Sequence, residues 1–144
     1  MPMRVARFRV RFNCIPNWHT NAVRKDAYYE KGHVTKVIVI RQPWAWLIVN
    51  GFKDTENRSW STRYRGTLLI QASVSRPTKR KLQEIKLFAL KRGVELPEEF
   101  ERGGMVGVVQ LDDSVTRSRS KWFEGPIGRV LSKPKKLKFI PLKG

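Results

Sequence analysis

No apolar run in this chain is longer than the six residues "WAWLIV", Trp44–Val49. A helix that crosses a bilayer needs roughly 20 apolar residues in succession, so the core must instead be assembled from many short segments. At 144 residues the chain fits one domain that buries about two-thirds of its unfolded surface. There is no room for two enzymatic domains.

The short segments can be read one by one. "KVIVIRQ" (36–42) is rich in β-branched residues and predicts a buried strand. Pro43 suits a first helical position, "WAWLIV" supplies one to two buried helical turns, and Gly51 fits the C-terminal cap. The stretch 53–60 reads as the next strand, and "RGTLLIQAS" (65–73) as another after a turn at "TRYRG". Between 77 and 92, Leu82, Ile85, Leu87, Phe88, Ala89 and Leu90 recur at helical spacing, and Gly93 closes the segment. "GGMVGVVQLDDSV" (103–115) predicts a strand whose glycines let backbone approach backbone. "IGRVLS" and "KLKFIPL" read as two further strands, separated by a turn around Pro134. The expectation is an α/β chain of the α+β kind: a small barrel of five to six mixed strands with two helices.

Ahead of this body, "RFRVRF" (7–12) alternates Arg7, Arg9 and Arg11 with Phe8, Val10 and Phe12, the period of a half-buried strand with a basic outer face. From 13 to 36 no period is sustained. Residues 1–36 are therefore read as a basic N-terminal extension, and 37–144 as the folded domain, with the boundary near Lys36.

Charge narrows the function. Thirty basic residues against twelve acidic leave a net charge of +18, and so cationic a chain calls for an anionic partner. Residues 1–36 carry eight basic and two acidic groups, 37–116 thirteen and nine, and 117–144 nine and one. A folded body with basic rims suits a phosphate backbone, so nucleic acid is the first expected partner, ahead of an anionic membrane surface. The basic N-terminus lacks the apolar stretch of a secretory signal, and one cysteine, Cys14, forms no internal disulfide. Both point to the cytoplasm. Cys14, His19 and His33 are the only soft metal ligands and lack zinc-motif spacing, so no metal and no cofactor are expected.

"GFKDTENRSW" (51–60) places Lys53, Glu56 and Arg58 between two apolar segments. Glu56 and Arg58 fall on one face of a strand, since side chains alternate, and Lys53 stands in the preceding connection. Two readings stand side by side: a charged pair lining a cleft, or an ion pair that closes the barrel. Aromatics beside cations form a second constellation. Trp60 with Arg58, Arg63, Tyr64 and Arg65, and Trp122 with Phe123, Arg119 and Lys121, offer rings for base stacking and charges for phosphates, with core packing the alternative for both tryptophans. Trp44 and Trp46, in their apolar helix, are core. Gly125, Pro126 and Gly128 are ordinary turn formers, in a loop that can also gate a cleft. Lys135 and Lys136, in "KPKKLKF", extend the basic footprint.

"IRQPWAWLIVNGFKDTENRSWSTRYRGTLLIQAS", "GGMVGVVQLDDSV", "WFEGPIGRVLSKP" and "FIPLKG" together resemble the ASCH domain, a relative of the PUA RNA-binding domain, over about 37–144. The resemblance implies a PUA-like β-barrel with a cleft that binds RNA or another nucleic acid. In some relatives it also implies hydrolysis, as a metal-independent ribonuclease or an amidohydrolase of acetylated cytidine. The family's Gly-x-Lys-x-x-Glu-x-Arg signature falls on Gly51, Lys53, Glu56 and Arg58, and Lys53 and Glu56 become the catalytic candidates if the chain is an enzyme. In amidohydrolase members a threonine stands where this chain has Glu56, which removes the hydroxyl; Glu124 is a guess for their downstream carboxylate. Gln71 replaces the usual histidine, which weakens acid/base chemistry, and Arg129 replaces an aromatic, which favours anions. The reading is RNA bound in a cationic cleft at Lys53 and Glu56, with DNA or a ribonucleoprotein complex as further partners. RNA and DNA are not distinguished by composition.

Overall fold

The computed structural model describes residues 36–142. The alternating strand expected at 7–12, residues 13–35 of the stretch without a period and the three soft ligands lie outside the described residues.

The elements run β1 (Lys36–Ile40), α1 (Trp44–Val49), β2 (Thr55–Arg58), β3 (Gly66–Ala72), α2 (Lys79–Leu90), β4 (Gly104–Val115) and β5 (Ile127–Pro141). The strands form one sheet in the order β1-β3-β4-β5-β2, with β1 parallel to β3 and every other pair antiparallel. The result is a curled α+β half-barrel with two helices. Its curl is visible in one contact: Arg58 on edge strand β2 donates from Nη2 to the Val39 carbonyl on the opposite edge strand β1, at 2.9 Å. A flat sheet would hold these two strands apart, with β3, β4 and β5 between them.

Inside the curl, Ile38, Ile40, Leu68, Ile70, Val109, Leu111 and Leu131 pack with Ala45, Ile48 and Val49 of α1. Alternation selects them, as β3 shows by burying Leu68, Ile70 and Ala72. α1 approaches β4 because Gly107 allows it: a Cβ there would lie 2.5 Å from Val49 Cγ1 and 2.7 Å from the Lys135 carbonyl. A smaller second core joins the helices, where Leu47 meets Ile85, Ala89, Val94, Leu96 and Trp122. α2 starts where Thr78 Oγ1 accepts the Lys81 N–H at 3.1 Å and stops at Gly93, whose φ of +82° suits glycine.

The structure corrects the sequence reading at the C-terminal end. "IGRVLS" and "KLKFIPL" belong to one strand, β5. Pro134 sits in a bulge rather than a turn: between the pairs Ser132↔Gln110 and Lys135↔Val108, two residues of β5 oppose Val109 alone. A bulged residue is left out of the ladder, so a proline without an N–H is tolerated there. Lys133, at φ +49°, takes up the bend.

Candidate functional site

The "GFK" turn is tied to α1 by its backbone. The Phe52 and Lys53 N–H groups both donate to the Leu47 carbonyl, at 2.9 and 3.0 Å. The Leu131 N–H then reaches the Asp54 carbonyl at 2.9 Å, which aligns the chain for β2 against β5. These bonds turn Lys53 inward. It is only 5 % exposed, and its Nζ donates to the Thr55 carbonyl and to Glu56 Oε2, the latter at 3.1 Å. The Trp44 ring centroid lies 5.8 Å from that ammonium.

Glu56 is shared. Arg58 Nε stands 3.2 Å from Glu56 Oε1, within ion-pair range although off the angle of a hydrogen bond. Directly across the ladder from Glu56 is Arg129, buried to 1 %, its guanidinium 5.7 Å from the Trp60 ring centroid. Burial holds Arg129 below the usual guanidinium pKa; nearby Arg58 adds to that and Glu56 opposes it. Lys53, Glu56, Arg58, Trp60 and Arg129 are thus brought together. Of these only Lys53 borders a nearby cavity of about 60 Å³, whose other walls are Gly51, Asp54, Ser132 and Pro134 together with apolar Ile48, Val109 and Leu131.

Other expected site residues lie elsewhere. Arg63 is exposed, while Arg65 is held by the Thr62 carbonyl at 2.7 Å and by Asp113 at 3.0 Å. Tyr64 donates its hydroxyl to the Thr67 carbonyl at 2.7 Å and packs on the core, and burial raises its pKa. Lys121 donates to the Arg92 carbonyl at 2.9 Å. Lys136 is exposed and Lys135 half-buried on β5. Trp122 is a correction: at 2 % exposure its ring belongs to the second core and is not offered for stacking. Trp44 and Trp46, read as core, are each half-buried at its margin. Glu124 is exposed in the loop after Trp122.

Sequence reasoning missed Asn57. Its Nδ2 donates to the Trp122 carbonyl at 2.9 Å, and its Oδ1 accepts the N–H groups of Glu124 and Gly125 at 2.8 and 3.2 Å. Ser120 adds a hydrogen bond from its hydroxyl to Asp54. The "WFEGPIG" loop, read as turn formers that can also gate a cleft, is pinned to β2 through Asn57. An asparagine inside a strand, where it is disfavoured, was the available signal. Gln42 is another: buried to 3 %, it accepts the Trp46 N–H at 2.8 Å and donates to the Glu101 carbonyl at 2.9 Å.

A curled α+β half-barrel with a partly buried lysine–glutamate–arginine cluster defines the class of small barrel domain to which the chain belongs. The ASCH domain profile matches residues 38–133, and the chain is a member of the ASCH-domain family. It is similar to activating signal cointegrator 1 of Homo sapiens, 38 % identical over 85 residues, covering 57 % of this chain and 15 % of that protein. It is also similar to activating signal cointegrator 1 of Mus musculus, 34 % identical over 109 residues, covering 72 % of this chain and 19 % of that protein. The chain thus spans less than a fifth of the length of these relatives. Among the described residues, no helix is long and apolar enough to cross a membrane.

Proposed function

We propose that this ASCH domain binds nucleic acid, RNA in particular, with the Lys53–Glu56–Arg58 cluster as its selective site and exposed cations as its general one. The observation that carries the reading is that two cations, Lys53 and Arg58, share a single carboxylate, Glu56, in a chain of net charge +18. One carboxylate does not neutralise two cations, so a phosphate near the cluster meets a positive field in a partly dry setting, where charge acts more strongly than in water. Exposed Lys133, Lys136 and Lys138, with half-buried Lys135, supply the sequence-independent contacts, residues 1–36 extend the same footprint, and the half-buried Trp60 offers a ring beside Arg129.

The test is incubation of the purified chain with labelled single-stranded RNA, duplex RNA and duplex DNA, with and without EDTA. Intact, retained RNA is the expected result. Tighter retention of duplex DNA would replace RNA as the ligand. Fragmentation that survives EDTA would make the domain a ribonuclease, and release of acetate from acetylcytidine an amidohydrolase, with Lys53 as the reacting group in either case.

A further inference from the structure

α2 is apolar around more of its circumference than the fold covers. Ile85 and Ala89 are buried, at 5 % and 0 %, and Leu82 and Phe88 are half-buried beside them. Leu87 and Leu90, one turn apart on the other side, are 58 % and 59 % exposed. A surface helix of a single domain normally carries one apolar stripe. Here a second one is left without a partner.

Cations outnumber acids around that stripe, with Glu84 the one acid of the helix, a turn before Leu87. Lys86 stands one turn before Leu90 and Lys91 one turn after Leu87, while Lys79 and Arg80 open the same helix. Over residues 79–92 there are six basic groups and one acidic group, Glu84. Glu84 lies 3.5 Å from both Arg80 and Lys81, and Lys86 lies 3.5 Å from Glu98. Lys79 and Lys91 form no such pair among the described residues.

We propose that the Leu87–Leu90 face of α2 docks an acidic amphipathic segment of a partner protein, with two leucine-sized side chains one turn apart and Asp or Glu on either side. Charge selects this occupant. A second copy of the chain would bring another helix with the same excess of cations, and residues 1–36, with eight basic and two acidic groups, are of the same sign. Nucleic acid answers the cations and leaves both leucines in water. An anionic lipid surface wants a broader apolar face than two leucines, because membrane affinity of an amphipathic helix grows with the apolar area it inserts. Two apolar anchors one turn apart beside cations match the i, i+3 anchors and flanking acids of an amphipathic peptide helix. This surface is separate from the proposed nucleic-acid site, so either can fail without the other.

The test uses the full chain, isotope-labelled for amide NMR, and a synthetic amphipathic peptide of about 20 residues with leucines on one face and glutamates flanking them. Two control peptides carry lysine for each glutamate or alanine for each leucine. The expected result is saturable shifts concentrated on α2 with the acidic leucine peptide alone. In the Leu87→Gln, Leu90→Gln variant its affinity falls at least about tenfold, with the thermal midpoint unchanged because both side chains are exposed and glutamine is a good helix former. Equal binding by that variant, equal binding of the alanine peptide, or no binding at all would overturn the proposal. So would concentration-dependent self-association through α2, or the same shifts with phosphatidylserine vesicles.

Discussion

Lys53 and Lys136 carry the same charge in opposite surroundings. Lys53 is 5 % exposed, held by the Thr55 carbonyl and Glu56 beneath a curled sheet. Lys136 stands exposed on β5, opposite Gly107 of β4, with no ion pair among the described residues. A buried cation has lost its water, so it must keep its partners, and the chain around it is built to supply them. An exposed cation keeps its water and stays available to any anion. On the proposed function this difference separates two roles: the buried group fixes geometry and selects, whereas the surface group attracts at long range.

The comparison breaks most readily at Glu56. Glu56→Gln leaves Lys53 buried without its counter-charge and Arg58 without its near neighbour. It should cost about 3–5 kcal/mol, read as a drop in the urea midpoint at unchanged slope. Lys53→Met comes next: Glu56 keeps Arg58, but the Thr55 carbonyl loses a charged donor, for about 2 kcal/mol. A loss of selectivity between nucleic-acid ligands should accompany it. A fully stable Lys53→Met protein would place the lysine outside the structural cluster. Arg58→Ala removes the bond to Val39 that joins the two sheet edges, at about 1 kcal/mol, and hydrogen exchange should accelerate in β1 more than in β4. The smallest stability effect belongs to Lys133, Lys135, Lys136 and Lys138. Glutamine at these positions should leave the thermal midpoint nearly in place, within about 0.5 kcal/mol for each, while affinity for nucleic acid falls.

Much of this molecule can be read from its residues, and the failures have physical causes. β1, β3 and α2 announce themselves because each carries an apolar set that ends up buried: Val37, Ile38 and Ile40 of "VIVI", though Val39 is exposed, alternate residues of "GTLLIQA", and the Ile85–Ala89 stripe. β5 does not, because a proline is a turn former in sequence and a bulge residue in a ladder, and only the register with β4 decides. Trp122 was misread from its polar neighbours. Its chain neighbours face outward, while its ring enters a core made by distant residues, Leu47, Ile85 and Leu96. Lys53, Glu56 and Arg58 were legible as a group because they lie within six positions. Arg129 joins them only through strand pairing, and Asn57 holds a loop more than sixty residues away. Neither contact leaves a local trace. The profile match ends at residue 133, so the lysines that continue β5 rest on charge and placement alone.

The most direct test of the account is the salt dependence of single-stranded RNA binding. If exposed cations neutralise about six phosphates, log affinity should fall against log salt with a slope of about −4. The slope should flatten in the variant with glutamine at 133, 135, 136 and 138, and remain in Lys53→Met. An affinity that does not change between low and moderate salt, or a slope that vanishes with Lys53 and survives loss of the β5 lysines, would contradict it.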